Sequence, residues 1–161
     1  MAGLARLNEF IKYTQVLNDE LNSGRAVQTF VEKNEDWIVS CVASKQLYAK
    51  GQNALGVDIM SYRPYTPFTI QKKEEKGQPT DRVTLRDTGD FYDSMRVDAD
   101  KTYFEIVAND WKTEQLKGKY GDDILGLNAD NKGQLIWDKL YPDLLQYAKG
   151  LIFGGDNDLP M

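Results

Sequence analysis

Met95-Arg96-Val97-Asp98-Ala99-Asp100-Lys101-Thr102-Tyr103-Phe104-Glu105-Ile106-Val107-Ala108 decides the fold class. Met95, Val97 and Ala99 alternate with Arg96 and Asp98, and Phe104, Ile106 and Ala108 alternate with Tyr103, Glu105 and Val107. A period of two puts one set of side chains on each face of a strand. Asp100-Lys101 sits between the two runs as a turn, so the stretch predicts a β-hairpin with one buried face. Immediately before it stands Asp87-Thr88-Gly89-Asp90-Phe91-Tyr92-Asp93-Ser94. Phe91 and Met95 are four apart, which suits a short helical turn capped by Asp87, with Asp90 in its first turn and Asp93 facing solvent. Residues 87–109 therefore read as a turn plus a β-hairpin.

Working outward, the sequence on either side is mostly helical in pattern. Downstream, Asp110 to Asp123 is polar and contains glycine, so it reads as a loop. Asn128 then offers an N-cap, and Leu135, Ile136, Leu140, Leu144, Ala148, Leu151 and Ile152 form a helical stripe. A C-terminal helix over 128–152 follows, with Pro142 expected to kink or break it. Gly154-Gly155-Asp156-Asn157-Asp158 reads as a frayed tail. Upstream, Leu4, Leu7, Ile11, Thr14, Leu17 and Leu21 make one apolar stripe, stopped by Asn22-Ser23-Gly24. A second helical pattern runs from Val27 to Tyr48, with a fresh start near Asn34, and Lys50-Gly51 supplies its end. Residues 1–50 are thus a helical part of two or three helices.

The connecting region, 57–86, has a different texture. Tyr62, Pro64, Tyr65, Thr66, Pro67 and Phe68 mix prolines with aromatic rings, which suits extended chain rather than a helix interior. Phe68-Thr69-Ile70-Gln71 and Arg82-Val83-Thr84-Leu85-Arg86 both alternate, and Lys72 to Gly77 is a charged turn between them. An extended arm or hairpin is expected. The order of helices, strands and helix predicts an α+β fold, with N-terminal helices and a C-terminal helix packed on a small antiparallel sheet. A chain of 161 residues is expected to form a single domain over 1–161.

Composition narrows the function classes. With 25 acidic and 20 basic side chains the net charge is −5, the wrong sign for non-specific duplex binding. Histidine is absent, which removes Ser-His and Cys-His nucleophiles and most zinc sites. The single cysteine, Cys41, cannot form an intrachain disulfide, and its apolar neighbours Ile38 and Val42 suggest an inert, buried thiol. Met1 to Arg6 turns polar at once, unlike a signal peptide, and no apolar run is long enough for a membrane span. The expectation is a chain made and folded in the cytoplasm, with no cofactor and no membrane partner.

Three groups of residues invite a chemical reading. Asp87, Asp90 and Asp93 recur every third residue, and Asp122 and Asp123 lie further on. Such carboxylates can hold magnesium, so a metal-dependent nuclease or phosphoryl-transfer enzyme using Asp87, Asp90 and Asp122 is one reading. Capping and solvation are the plainer alternative. Thr88-Gly89 enters a short turn but lacks the further glycines and lysine of a phosphate loop. Tyr62, Arg63, Tyr65 and Phe68 could stack on bases, pack on their own domain, or form a subunit interface.

The stretch from Leu85 to Met95, followed by the hairpin, resembles a signature of small tailed-phage morphogenesis proteins: the head–tail joining, neck and tail-completion proteins. Their pattern is a long helix, a Thr-Gly-x-apolar-x-x-Ser turn, a hairpin, an apolar-apolar-Gly-Leu segment and a final helix. Thr88, Gly89, Phe91 and Ser94 match the turn, Ile124-Leu125-Gly126-Leu127 matches the later segment, and Gln134 to Leu151 matches the last helix. The resemblance covers roughly residues 27–152. The chain departs from the pattern in its longer Asp58–Arg82 insertion and in Trp111 to Asp123, where those proteins often carry a Tyr-Ala or His-rich stretch. The resemblance implies a non-enzymatic virion protein at the head–tail junction or tail. It implies a homo-oligomeric ring beside portal, adaptor or tail proteins, with DNA passing through the lumen without specific binding. Thr88, Gly89, Phe91, Ser94, Gly126 and Leu127 are then structural motif positions, and the arm and hairpin edge are means of joining subunits. A small regulatory, protein-binding module is a third reading.

Overall fold

The structure is a computed structural model that describes residues 2–153, with side chains from residue 6 onward. It has an α+β fold, mostly helical, with one two-stranded antiparallel sheet. The residues read as a frayed tail lie outside the described residues. The described chain divides into two compact units. One comprises residues up to 34, 99–104 and from 134 onward, and the other comprises 35–98 and 105–133.

In the first unit, α1 (Ala2–Ser23) ends where Asn22-Ser23-Gly24 stops the stripe, and α2 (Arg25–Lys33) follows directly. Gly24 takes φ +72°, a left-handed conformation that only glycine adopts without strain, and this turns the chain between the two helices. Ala26, Phe30 and Val31 of α2 are buried. Phe30 meets Tyr147 edge-on at 6.1 Å, and Lys33 pairs with Asp143 at 3.0 Å, which fastens α2 to α8 (Tyr141–Phe153).

Pro142 does not break the C-terminal helical run. α7 (Ala129–Gln134) widens into a π-helical segment, Leu135–Leu140, and the backbone keeps helical angles into α8. The Tyr141 N–H bonds to the Ile136 carbonyl five residues back. Widening the turn just before a proline accommodates its ring and missing N–H. Asn128 caps this run as expected, its side-chain oxygen accepting from the Asn131 N–H at 3.0 Å.

The second unit carries the larger core. α3 (Glu35–Ser40) passes into a π-helical segment, Cys41–Tyr48, and Ile38, Cys41, Val42 and Leu47 on this run are fully buried. Gly51 ends it, donating to the Leu47 carbonyl at 3.0 Å. The hairpin forms as the alternation predicts, with β1 (Met95–Ala99) and β2 (Phe104–Ala108). Met95 and Ile106 are its buried members. Its turn, counted with the first unit, closes with Asp100 N–H on Tyr103 O at 2.9 Å, while the Asp100 carboxylate accepts from the Thr102 N–H.

Two expectations for this unit are corrected. Residues 57–86 are neither an extended arm nor a hairpin. They contain a 3₁₀ turn at Ile59–Ser61 and a helix, α4 (Pro67–Glu75). Thr66 is its N-cap and Pro67 occupies the first turn, where the missing N–H costs nothing. The Arg82–Arg86 run is not a strand: Leu85 takes φ +54°, and the Thr84 N–H and carbonyl bond to tyrosine hydroxyls instead of a neighbouring strand. Residues 110–123 are likewise not a loop. They form α6 (Thr113–Tyr120) and a 3₁₀ turn, Asp122–Ile124. The charges that suggested a loop suit a helix: Glu114 sits in the first turn, and Lys117 and Lys119 in the last. Among the described residues, no helix is long and apolar enough to cross a membrane.

Candidate functional site: a lysine-lined groove below the Thr88–Ser94 turn

The 83–86 segment shows how the site is built. A buried backbone must place its polar groups somewhere, and here there is no sheet to take them. Tyrosines do so instead. The Thr84 N–H donates to the Tyr65 hydroxyl at 2.9 Å, and the Tyr92 hydroxyl donates to the Thr84 carbonyl. Leu85 takes φ +54°, an unusual conformation for a leucine. Burial raises the Tyr65 hydroxyl above the ordinary tyrosine range and drives Tyr92 far above it. Because the folded state keeps these protons above pH 10 while the unfolded chain releases them, stability falls as pH rises past 10. In an alkaline absorbance titration of the nine tyrosines, Tyr65 and Tyr92 are expected to form phenolate late. Tyr92→Phe should remove the latest part of that rise.

Lys73 lies beneath this segment and is buried. Its ammonium donates to Arg86 O at 2.8 Å, Gln78 Oε1 at 3.0 Å and Thr84 Oγ1 at 3.2 Å, and lies 5.2 Å from the Tyr65 ring centre. All three of its protons are taken, and none goes to a carboxylate. Burial lowers its pKa, as desolvation of a cation requires.

Above lies a groove of about 390 Å³. One helical row, Phe68, Lys72 and Lys76, lines it from α4 and its C-cap. A second row at the same four-residue spacing, Lys112, Leu116 and Tyr120, lines it from α6 and its N-cap. Tyr65, Leu85 and Phe91 supply buried apolar lining, and Asp87, Thr88 and Gly89 complete it. Lys76 and Lys112 converge on the two oxygens of Asp87, Lys112 at 3.2 Å. Hydrogen bonds from Lys76 and then Lys112 hold the Asp87 carboxyl below the usual carboxylate range.

Asp87 therefore does not cap the turn. α5 (Asp90–Asp93) begins after Gly89, whose φ of +116° only glycine accepts cheaply, and Thr88 Oγ1 donates to the Asp90 carboxylate at 2.6 Å. Phe91 is buried, and Asp93 faces solvent as expected. Ser94 closes the motif: its hydroxyl donates to Phe91 O at 3.0 Å and accepts from the Asp110 N–H at 3.1 Å. It thereby ties the entrance of the hairpin to its exit. Ser94→Ala leaves the Asp110 N–H without that acceptor and is expected to cost about 1 kcal/mol in urea unfolding.

No family model, curated protein or solved structure matches this chain. The geometry is therefore judged on its own chemistry. Asp87, Asp90 and Asp122 are not assembled: Asp87 is held by two lysines, Asp90 by Thr88, and Asp122 pairs with Lys117 at 3.3 Å. Among the described residues, no three carboxylate, cysteine or histidine groups are placed to share a metal ion.

Of the aromatic run, Tyr65 belongs to the core. Tyr62 is exposed but anchored, its hydroxyl donating to Tyr120 O at 2.9 Å, while Arg63 and Phe68 face solvent. At the second motif, Leu127 is buried and Gly126 lies so close to Ala54 that an added Cβ would come within 2.9 Å of the alanine methyl. The Gly126 carbonyl accepts from Gln46 Nε2 at 2.8 Å. Gln46 and the α4–α6 groove escaped the sequence reading. Thr66-Pro67 was the available signal for α4, and nothing local marks Gln46.

Proposed function

We propose that the chain is a non-enzymatic assembly subunit, and that it forms a ring at the head–tail connector, neck or upper tail of a tailed phage. The observation that carries the assembly reading is α1, which leaves Leu7, Phe10, Ile11, Tyr13, Val16 and Leu21 exposed. A helix bearing this much uncovered apolar surface is best completed by a neighbour. The phage assignment comes from the resemblance of the Thr88–Ser94 turn, the hairpin and the Gly126-Leu127 segment. The hydrogen-bonded turn from Thr88 to Ser94 is in keeping with that resemblance. A net acidic chain around a channel would attract DNA little and let it slide.

Native mass spectrometry and electron microscopy of the full chain, alone and with purified portal or tail proteins, test the proposal. Closed symmetric rings are expected, and Leu7→Glu combined with Ile11→Glu should prevent them. Monomers under every condition would overturn it.

A further inference from the structure

The groove is the opposite of the chain in charge. Its lining has five cationic side chains, Lys72, Lys73, Lys76, Arg86 and Lys112, against two carboxylates, Asp87 and Asp110, on a chain of net charge −5. The cations are differently available. Lys73 supplies positive potential but no free proton donor, since its three bonds are made internally. Arg86 rests on the Tyr48 ring at 5.3 Å and pairs with no carboxylate among the described residues. Lys76 and Lys112 share one carboxylate, and the Lys72 ammonium pairs with the half-exposed Glu75 and lies 5.9 Å from the Phe68 ring centre. Asp87 shows what the two converging ammonium groups accept: a carboxylate between them.

The shape points to a linear ligand. From Phe68 to Lys76 the helical rise spans about 12 Å, which an extended peptide covers with about four residues. The apolar lining from Leu85, Phe91 and Leu116 offers a seat for one large side chain, and Phe68, 69% exposed, extends that surface outward. A short concave groove on an acidic chain is a poor fit to duplex DNA, which needs a broad basic face.

We propose that this groove binds a short acidic peptide segment of a partner protein, one large apolar residue against Phe91 and Leu116 and flanking carboxylates on Lys72, Arg86 and Lys112. Paired cations around an apolar seat are a recurrent way of reading acidic motifs. The proposal goes beyond assembly into rings and does not depend on it.

Fluorescence anisotropy with the full chain and a labelled Glu-Asp-Phe-Asp-Glu peptide tests it. Saturable binding is expected, weakened about tenfold by Lys72→Glu and by Lys112→Glu. Lys12→Glu on α1 should leave it unchanged, and Asp87→Asn, which removes the internal competitor, should tighten it. Lys72 is half-exposed, so its variant still carries the test if Lys112→Glu fails to fold. Absence of saturable binding, equal binding of Gln-Asn-Phe-Asn-Gln, or equal loss with Lys12→Glu would overturn the proposal. Displacement of the peptide by phenyl phosphate at concentrations below the peptide's own Kd would also overturn it, by reassigning the groove to small anions.

Discussion

Gln46→Ala is expected to lower stability by about 4 kcal/mol and Tm by roughly 10 °C, among the largest effects of any single side-chain truncation in this chain. Gln46 is fully buried on the π-helical segment after α3. Its Nε2 donates to Gly126 O at 2.8 Å. Its Oε1 accepts from the Asn128 N–H at 2.8 Å and from Asn131 Nδ2 at 2.7 Å. One amide thus satisfies a carbonyl, a helix-entry N–H and the side chain of a second buried amide. Truncation leaves all three without partners, each at about 1–3 kcal/mol, and adds a cavity. Gln46→Glu discriminates the bonds from the volume. A carboxylate keeps the acceptor but sets an oxygen against Gly126 O, so the variant should be unstable at neutral pH. It should recover part of the loss in acid, where a neutral carboxyl can donate. Thermal unfolding of the two variants at pH 4 and pH 7 checks this. A loss in Gln46→Ala no larger than that of an exposed site would mean the Gly126-Leu127 segment is held by packing alone.

The contrast between Gln46 and the hairpin explains what was legible in the sequence. The hairpin declares itself through a local period: Met95 and Ile106 are buried where alternation puts them. The stop at Asn22-Ser23-Gly24, the end at Gly51 and the Asn128 cap are also local, each depending on residues within four positions. Gln46 acts on residues 80 to 85 positions away, and no periodicity encodes that.

α4 is hidden from a local pattern for a different reason. Its aromatic and β-branched residues favour strands, but Thr66 and Pro67 start a helix, and tertiary burial of Lys73 completes it. The 82–86 run alternates like a strand in sequence, but Arg82 lies in a bend and Leu85 takes φ +54°. Its partners are the Tyr65 and Tyr92 hydroxyls rather than another strand. The groove depends on both helices: Phe68, Lys72 and Lys76 line it from α4 and its C-cap, and Lys112, Leu116 and Tyr120 from α6 and its N-cap. The charge pattern was visible as mixed sign, but only the helical spacing places Lys72, Lys76 and Lys112 around one cavity.

Gly24→Ala is the second large effect, an expected loss of about 3 kcal/mol. Two costs combine at this corner. Alanine must adopt φ +72°, worth about 1 kcal/mol. Its Cβ would also stand 2.0 Å from the Lys101 carbonyl oxygen, a contact with backbone that no rotamer relieves. Relief requires moving the hairpin's turn away from the α1–α2 corner. That strains the bond from Gln28 Nε2 to Ala99 O, 3.0 Å long, which holds the same turn. Gly56 separates the two costs. Its φ is +73°, nearly the same, but an added Cβ there meets nothing within 4 Å. Gly56→Ala should therefore lose only the backbone part, about 1 kcal/mol. Urea unfolding of both variants measures the difference, and the excess at Gly24 is the steric part. Equal losses would show that the turn at Lys101 yields freely, and that its close approach to Gly24 adds nothing to the cost of the substitution.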